Sequence, residues 1–91
     1  MPGSTRQFKN DVYEQLARVG KAVSAPKRLE LLDLLCQGPR TVESLADQTA
    51  ISVANASQHL QILHGAGLVE RERDGNHVRY AISGEQALHV S

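Results

Sequence analysis

The sequence predicts a mainly α-helical domain that ends in a small β-hairpin, an α+β fold of order α-α-α-α-β-β-(α). Three observations support this prediction. Apolar residues recur every three or four positions in the first two thirds of the chain, which is typical of amphipathic helices. Pro, Gly, Ser and Thr separate these stretches at positions where helices begin and end. Apolar and polar residues then alternate on the C-terminal side of Asp74-Gly75, as in a hairpin.

The composition limits the protein to one small domain with few special groups. The chain has 91 residues and a formal net charge of zero, with 10 basic and 10 acidic residues, so it lacks the basic excess common in nucleic-acid-binding domains. The single cysteine, Cys36, excludes an internal disulfide and a Cys-rich zinc finger. No apolar run approaches the roughly 20 residues that span a bilayer, and residues 1–5 lack a signal-peptide core. We therefore expect a cytoplasmic protein without a membrane segment.

Two helices are predicted in the N-terminal half, after a flexible tail at residues 1–7. The spacing Val12, Leu16, Val19, Val23 indicates a first helix from Phe8 that packs on another helix. Pro26 begins a second helix, and Gly38-Pro39 ends it. The second helix is apolar over more than one face, which favours a central position, with Cys36 as a small buried residue or, alternatively, a thiol sensor. The basic residues of this half are expected on a solvated face or beside DNA phosphates.

Two further helices are predicted before the hairpin. Thr41 caps a short third helix whose apolar side is Val42, Leu45 and Ala46. Ser52 caps a fourth helix that runs to about His64, with an apolar side at Val53, Ala56, Leu60 and Leu63. The opposite face of the fourth helix is small or polar and carries no charged residue, although a merely solvated face normally carries Lys and Glu.

The hairpin is predicted from Leu68–Arg73 and His77–Ile82, with the tight turn at Asp74-Gly75. Val78, Tyr80 and Ile82 alternate with polar or small residues, so one face is expected to be buried. Ser83 is a candidate cap for a final helix that includes Leu88 and Val90 and is cut short at Ser91. Residues 8–91 are therefore predicted to form one domain.

This order of elements is typical of a winged helix-turn-helix, in which the helix after the turn enters the DNA major groove. Asn and Gln pair with adenine, and Ser and His can contact bases or phosphates. Arg71, Arg73, His77 and Arg79 of the hairpin suit phosphates or the minor groove. The alternative is a winged helix that serves as a protein-interaction or dimerisation module with weak affinity for DNA, which the zero net charge and the absence of Lys and Arg from 43–69 favour.

Three segments resemble the ArsR/SmtB family of bacterial repressors. They are Ala25-Pro26-Lys27-Arg28-Leu29, Ser52–Leu60 and Gly65–Val69. The resemblance covers roughly residues 12–82. The sequence Ser-Val-Ala-Asn at the start of the fourth helix is most similar to that of a subgroup whose members are fused to a rhodanese-like sulfurtransferase domain.

The resemblance implies a sequence-specific homodimeric repressor that binds an imperfect palindrome of double-stranded DNA and leaves its operator on a signal. It also implies which residues face DNA. In the fourth helix these are Ser52, Asn55, Ser57, Gln58 and His59, and in the wing they are Arg71, Arg73, Asn76, His77 and Arg79.

No metal, cofactor or catalytic site is predicted. The family's Cys-x-Cys metal motif has no cysteine in the matching stretch 40–47. Glu85 and His89 form an i, i+4 pair, which is expected to be an ordinary exposed pair, with a metal site shared across a dimer as the alternative. The chain lacks a glycine-rich phosphate loop, a GxSxG motif and an HExxH motif, so an enzyme is not expected.

Overall fold

In the part of the chain that the structure describes, two helices are followed by a short strand, two further helices and a β-hairpin. The structure is a computed structural model that describes residues 2–84, with side chains from residue 5 onward. The elements are α1 Pro2–Ala22, α2 Pro26–Cys36, β1 Arg40–Thr41, α3 Val42–Thr49, α4 Val53–Gly65, β2 Val69–Asp74 and β3 His77–Ile82. The predicted fold class is confirmed. The predicted final helix lies outside the described residues, and so do Glu85 and His89.

α1 begins at Pro2 rather than at Phe8, so residues 2–7 of the predicted tail are helical. Proline is compatible with the first turn of a helix, where its missing N–H has no intrahelical acceptor. Gln7 Nε2 donates to Asp11 Oδ1 at 3.0 Å and so joins two successive turns. No strong helix breaker separates this segment from Phe8.

Most of the apolar side of α1 is exposed. Ala22 is buried and Val19 packs against the core, but Phe8 is 68% exposed and Leu16 is 61% exposed. The predicted packing of this stripe on another helix is therefore found only at the C-terminal end of α1, within the described chain. A further apolar surface is needed to cover the rest.

The core lies where α2, α3, α4 and the sheet meet. Leu31 and Leu35 of α2, Leu45 of α3, and Leu60 and Leu63 of α4 are fully buried. Burial of each leucine adds about 1.5–3 kcal/mol to the free energy of unfolding, relative to an exposed leucine. α2 contacts α3, α4 and β3, which confirms its predicted central position.

Cys36 was expected in this core, but its side chain is exposed. Leu31 and Leu35 are four residues apart and share the inward face of α2. Cys36 follows Leu35 by one residue, which rotates it by about 100° to another face. Leu29 of the same helix is also 51% exposed, so the wide apolar surface of α2 is only partly covered.

A three-stranded antiparallel sheet of order β1-β3-β2 closes the domain. β1 pairs with β3 through Arg40↔Tyr80 and was not predicted, because two residues show no periodicity. In the hairpin, Asp74 pairs with His77, so the loop is Gly75-Asn76, one residue later than expected. Gly75 has a φ of 63°, a left-handed value that glycine adopts without strain.

The ends of α1 and α3 accept hydrogen bonds from cations at the start of α2. Arg28 Nε donates to the Ala22 carbonyl at 2.7 Å, and Lys27 Nζ donates to the Thr49 carbonyl at 2.8 Å. A positive charge at a helix C-terminus also interacts favourably with the helix dipole. The half-buried side chains of Lys27 and Arg28 therefore stabilise helix ends and do not simply form a solvated basic face.

The ends of α2 and α4 are joined to other elements in the same way. Arg40 Nε donates to the Leu34 carbonyl at 3.2 Å, and Gln15 Nε2 of α1 donates to the Ala66 carbonyl at 3.1 Å. The exposed helix α1 is thus tied to the C-terminal end of α4.

Leu60→Ala is expected to lower the free energy of unfolding by about 2–5 kcal/mol, because it opens a cavity in the core. Ile62→Ala on the same helix is the matched control. Ile62 is 45% exposed, so this change should cost about 0.5 kcal/mol or less. Urea denaturation of both variants checks the difference, and equal effects would contradict the described packing of α4.

Candidate nucleic-acid interface

The turn between α3 and α4 holds the first residues of α4 in place. Ala50 ends α3 in the left-handed conformation, with φ 58° and ψ 41°, and the Ile51 N–H donates back to the Ala46 carbonyl at 3.1 Å. Ser52 then caps α4, because its Oγ accepts a hydrogen bond from the Asn55 N–H at 3.0 Å. The first predicted DNA-facing residue therefore has a structural role at the start of α4.

α4 has an inward apolar face and an outward uncharged face. Ala56, Leu60 and Leu63 are buried, as predicted. Asn55 and Gln58 are exposed on the outward side, where amide groups can donate and accept in a major groove. Val53 was expected on the apolar side but is 48% exposed, because it lies in the first turn, beyond the edge of the core.

The hairpin brings two arginines to the flank of α4. Residues opposite each other in an antiparallel pair share one face of the sheet. Arg71 pairs with the buried Tyr80, and Arg73 pairs with Val78, so both arginines lie on the face that meets the helices.

A groove of about 420 Å³ separates the wing from α4. Arg71, Glu72 and Arg73 of β2 line one side of it, and Ser57 and Gln61 of α4 line the other. Within the described part of the chain, neither guanidinium has an ion pair or a hydrogen bond. The two arginines outweigh the one carboxylate of Glu72, so the groove carries a net positive charge beside a hydroxyl and an amide, which suits an anion such as a phosphate.

The other face of the hairpin is acidic, and Arg79 and His77 on it lie beside carboxylates. Arg79 Nη2 is 3.5 Å from Asp74 Oδ2, and His77 Nδ1 is 3.5 Å from Glu43 Oε1 of α3. Glu70 and Glu72 are exposed on this outer face. The structure thus separates Arg79 and His77 from Arg71 and Arg73, with which the sequence groups them.

His59 lies on neither side of this groove. It is half-buried, and its Nδ1 is 3.1 Å from Arg28 Nη1 of α2. His59 follows Ser57 by two residues, which places it about 200° around the helix axis, on the opposite flank of α4.

The ten predicted residues therefore divide into groups. Asn55 and Gln58 face outward on α4, Ser57 lies in the groove with Arg71 and Arg73, and Ser52 caps the helix. The remaining four are the loop residue Asn76, the ion-paired His77 and Arg79, and the Arg28-bound His59.

Gln61 of the groove is absent from the predicted set. Its Nε2 donates to Ser57 Oγ at 3.4 Å. The signal available in the sequence was its i+4 spacing from Ser57, which places both residues on one side of a helix.

The described residues offer no metal centre and no membrane helix. Among residues 2–84, no three His, Cys, Asp or Glu side chains cluster as metal ligands would. Within the same range, every helix is too short or too polar to cross a bilayer.

A helix-turn-helix with a hairpin wing and an uncharged outward helix face defines the DNA-binding transcriptional regulators of the winged-helix class. Comparison with known proteins supplies the family. Residues 25–71 match the family described as bacterial regulatory protein, arsR family, over more than half of the chain. The chain belongs to this family.

Relatives from two genera support the assignment. The chain is 47% identical over 79 residues to the transcriptional regulator Rv0324 of Mycobacterium tuberculosis, covering 87% of this chain and 35% of that protein. It is 38% identical over 73 residues to YgaV of Escherichia coli, covering 79% and 74%. These relatives are named as transcriptional regulators, in agreement with the expectation that the chain is not an enzyme. The chain spans about a third of the length of Rv0324.

Solved structures show the same architecture. The homodimeric winged helix-turn-helix DNA-binding domain of Mb0332 from Mycobacterium bovis, determined by NMR, matches with a TM-score of 0.81 and 44% identity, covering 90% of this chain and 76% of that one. NolR of Sinorhizobium fredii matches with a TM-score of 0.75 and 31% identity, covering 91% and 83%.

Ser52→Ala is expected to lower the free energy of unfolding by about 1 kcal/mol, because the Asn55 N–H loses its acceptor. Ser52→Asn is the matched control and should restore most of the loss, since Asn is an equally good cap. Thermal or urea unfolding measures both variants. Equal losses in the two variants would show that the cap at Ser52 does not stabilise α4.

Proposed function

We propose that this domain binds DNA for a dimeric transcriptional repressor that recognises an imperfect palindrome. The observation that carries the proposal is the groove in which the unpaired Arg71 and Arg73 face the uncharged side of α4. Base recognition needs donors and acceptors that reach the base edges, and backbone binding is strengthened by cations that are not already paired. Both lie next to each other at this groove.

α4 supplies the base contacts in this proposal. Asn55 and Gln58 are exposed on its outward face, and each side chain can pair with the two major-groove atoms of an adenine. Recognition helices contact base edges mainly with their N-terminal residues. Asn55 lies in the first turn of α4 and Gln58 in the second, as this geometry requires.

The inner face of the wing supplies the backbone contacts. Arg71 and Arg73 can each bind a phosphate through two parallel N–H groups, and the Ser57 hydroxyl can donate from the other side of the groove. Arg79 contributes less in this arrangement because it lies beside Asp74 on the outer face. The wing therefore contacts DNA through one face.

The exposed apolar side of α1 supports a homodimer. Four large apolar residues are exposed together on α1, where they contact water unless a second subunit covers them: Phe8, Val12, Tyr13 and Leu16. The similar Mb0332 domain is homodimeric. A two-fold dimer presents two copies of α4 to the two halves of a palindrome. A repressor of this bacterial family acts where DNA is accessible, so the proposal places it in the cytoplasm.

One observation favours the alternative function of a protein-interaction module. Glu70 and Glu72 are exposed on the outer face of the wing and would repel phosphates. A partner protein with a basic surface fits that face. Arg71 and Arg73 line the groove and Glu70 does not, so salt-dependent DNA binding separates the two functions.

We also propose, more specifically, that this domain belongs to a protein that carries a fused rhodanese-like domain. The Ser-Val-Ala-Asn sequence of residues 52–55 supports it, and the match covers only 35% of the related Rv0324, which leaves room in that protein for a further domain. The chromosomal reading frame is the test. A frame that continues past Ser91 into a rhodanese-like sequence supports the subgroup, and a stop codon directly after Ser91 contradicts it.

Replacing Arg71 and Arg73 with Gln is expected to weaken binding to all duplexes and to reduce the salt dependence. Each lost phosphate contact should lower the slope of log K against log salt by about 0.9. Arg79→Gln is the matched control on the same hairpin and should leave the slope nearly unchanged. Fluorescence anisotropy across a salt series measures all three proteins. An equal slope change for Arg79→Gln would contradict the one-faced wing.

Leu16→Glu is expected to convert the dimer into a monomer, because it places a charge on the exposed apolar side of α1. Arg18→Glu places a glutamate about 200° away on the same helix, at an exposed position outside the apolar side, and serves as the matched control. Light scattering coupled to size-exclusion chromatography gives both masses. A dimeric Leu16→Glu variant would exclude this face as the interface.

A further inference from the structure

The guanidinium of Arg28 joins the end of α1 to α4. Its Nε donates to the Ala22 carbonyl at 2.7 Å, and its Nη2 donates to the Lys21 carbonyl at 3.3 Å. Its Nη1 lies 3.1 Å from His59 Nδ1. Three nitrogens of one rigid, planar group are therefore engaged at once, by two helices that are not consecutive in the chain.

The chemistry of arginine decides the state of the histidine. A guanidinium only donates hydrogen bonds and stays protonated, so His59 Nδ1 must accept. The proton of the neutral His59 ring then resides on Nε2. A proton on Nδ1 would remove the acceptor and bring two N–H groups together.

The place of His59 on α4 separates it from the groove. Ser57 lies in the groove beside the wing, whereas His59 lies about 200° around the helix. Its half-buried ring faces the junction of α1 and α2. Asn55 lies one turn earlier on the same flank but is exposed, whereas the half-buried His59 ring is engaged by Arg28. The sequence and the family resemblance place His59 among the DNA contacts, and its engagement by Arg28 gives it a different task.

We propose that Arg28 and His59 form a positioning pair that sets the orientation of α4 relative to α1. His59 acts through Nδ1 on Arg28 and not through a DNA contact. The DNA part of this inference rests on the proposed function. If α1 forms the dimer interface, the pair sets how the two α4 helices of a dimer are spaced, and that spacing must match successive major grooves. Specific binding should therefore depend on the pair more than non-specific binding does.

Three substitutions separate positioning from DNA contact. His59→Ala removes the acceptor. Arg28→Lys replaces the planar guanidinium, which donates to three acceptors at once, with a single ammonium group. His59→Asn is the conservative control, because its Oδ1 lies near the position of Nδ1 and can accept from Arg28. It lacks the ring Nε2–H that would otherwise reach DNA.

The first readout is NMR of the free protein. A coupling across the hydrogen bond between an Arg28 guanidinium nitrogen and His59 Nδ1, with Nδ1 unprotonated, is the expected result. A protonated Nδ1, or no coupling in the folded protein, would overturn the proposal. This readout does not depend on DNA, so it decides the pair even if the protein binds no duplex selectively and the proposed function fails.

The second readout is affinity for a selected duplex and for a scrambled duplex of equal length at one salt concentration. His59→Ala and Arg28→Lys should each lose about tenfold on the selected duplex, the low end for a hydrogen bond to a charged group. They should change little on the scrambled duplex, and His59→Asn should recover most of the loss. Circular dichroism confirms that each variant is folded. If His59→Asn loses as much as His59→Ala while Arg28→Lys binds like the wild type, His59 contacts DNA directly and the proposal is wrong.

Discussion

The register of the hairpin decides which charge faces α4. Arg71 lies opposite the buried Tyr80, so the odd-numbered residues of β2 point inward. The residues between them include Glu70 and Glu72, which point outward. A slip of one residue would exchange the faces and turn Arg71 and Arg73 away from α4. The ring of Tyr80 is 2% exposed, and a slip would move it to the solvent side of the sheet, so its burial opposes the slip. The core packing of one tyrosine thus determines the electrostatics of the proposed DNA surface.

Polar side chains at helix ends join the elements that this small core cannot hold alone. Arg28, Lys27, Arg40 and Gln15 each donate to the last carbonyls of a helix from another element. Hydrogen bonds are directional, whereas the apolar packing of leucine and alanine side chains is not. They fix α1 against α4 and α2 against α3. The basic residues therefore have two roles that the net charge of zero does not show. Lys27, Arg28 and Arg40 hold helices together, while Arg71 and Arg73 are available to a ligand.

The sequence predicted the parts of the structure that depend on periodicity and on local caps. The buried positions Leu60 and Leu63, the cap at Ser52 and the alternation around Tyr80 follow from spacing alone. β1 was missed because two residues have no period. Cys36 was misplaced because an apolar residue beside a core residue need not share its face. The prediction of a wide apolar surface does not say which part stays exposed.

The candidate site was predicted less completely, because charge partners come from distant parts of the chain. The pairing of His77 with Glu43 and of His59 with Arg28 joins residues 34 and 31 positions apart. No spacing rule finds such pairs. Arg71 and Arg79 look equivalent in the sequence, and only the register shows that one faces the groove and the other lies beside Asp74.

Selection of duplexes from a random pool by the purified protein tests the central claim most directly. The account predicts an enriched inverted repeat whose half-sites lie about 10–10.5 base pairs apart, or a multiple of that distance, as two α4 helices of a dimer require. Replacing Gln58 with Ala should relax one base position in each half-site and leave the spacing intact. A pool without any enriched sequence, bound only through salt-sensitive contacts, would contradict the assignment of α4 as the recognition helix.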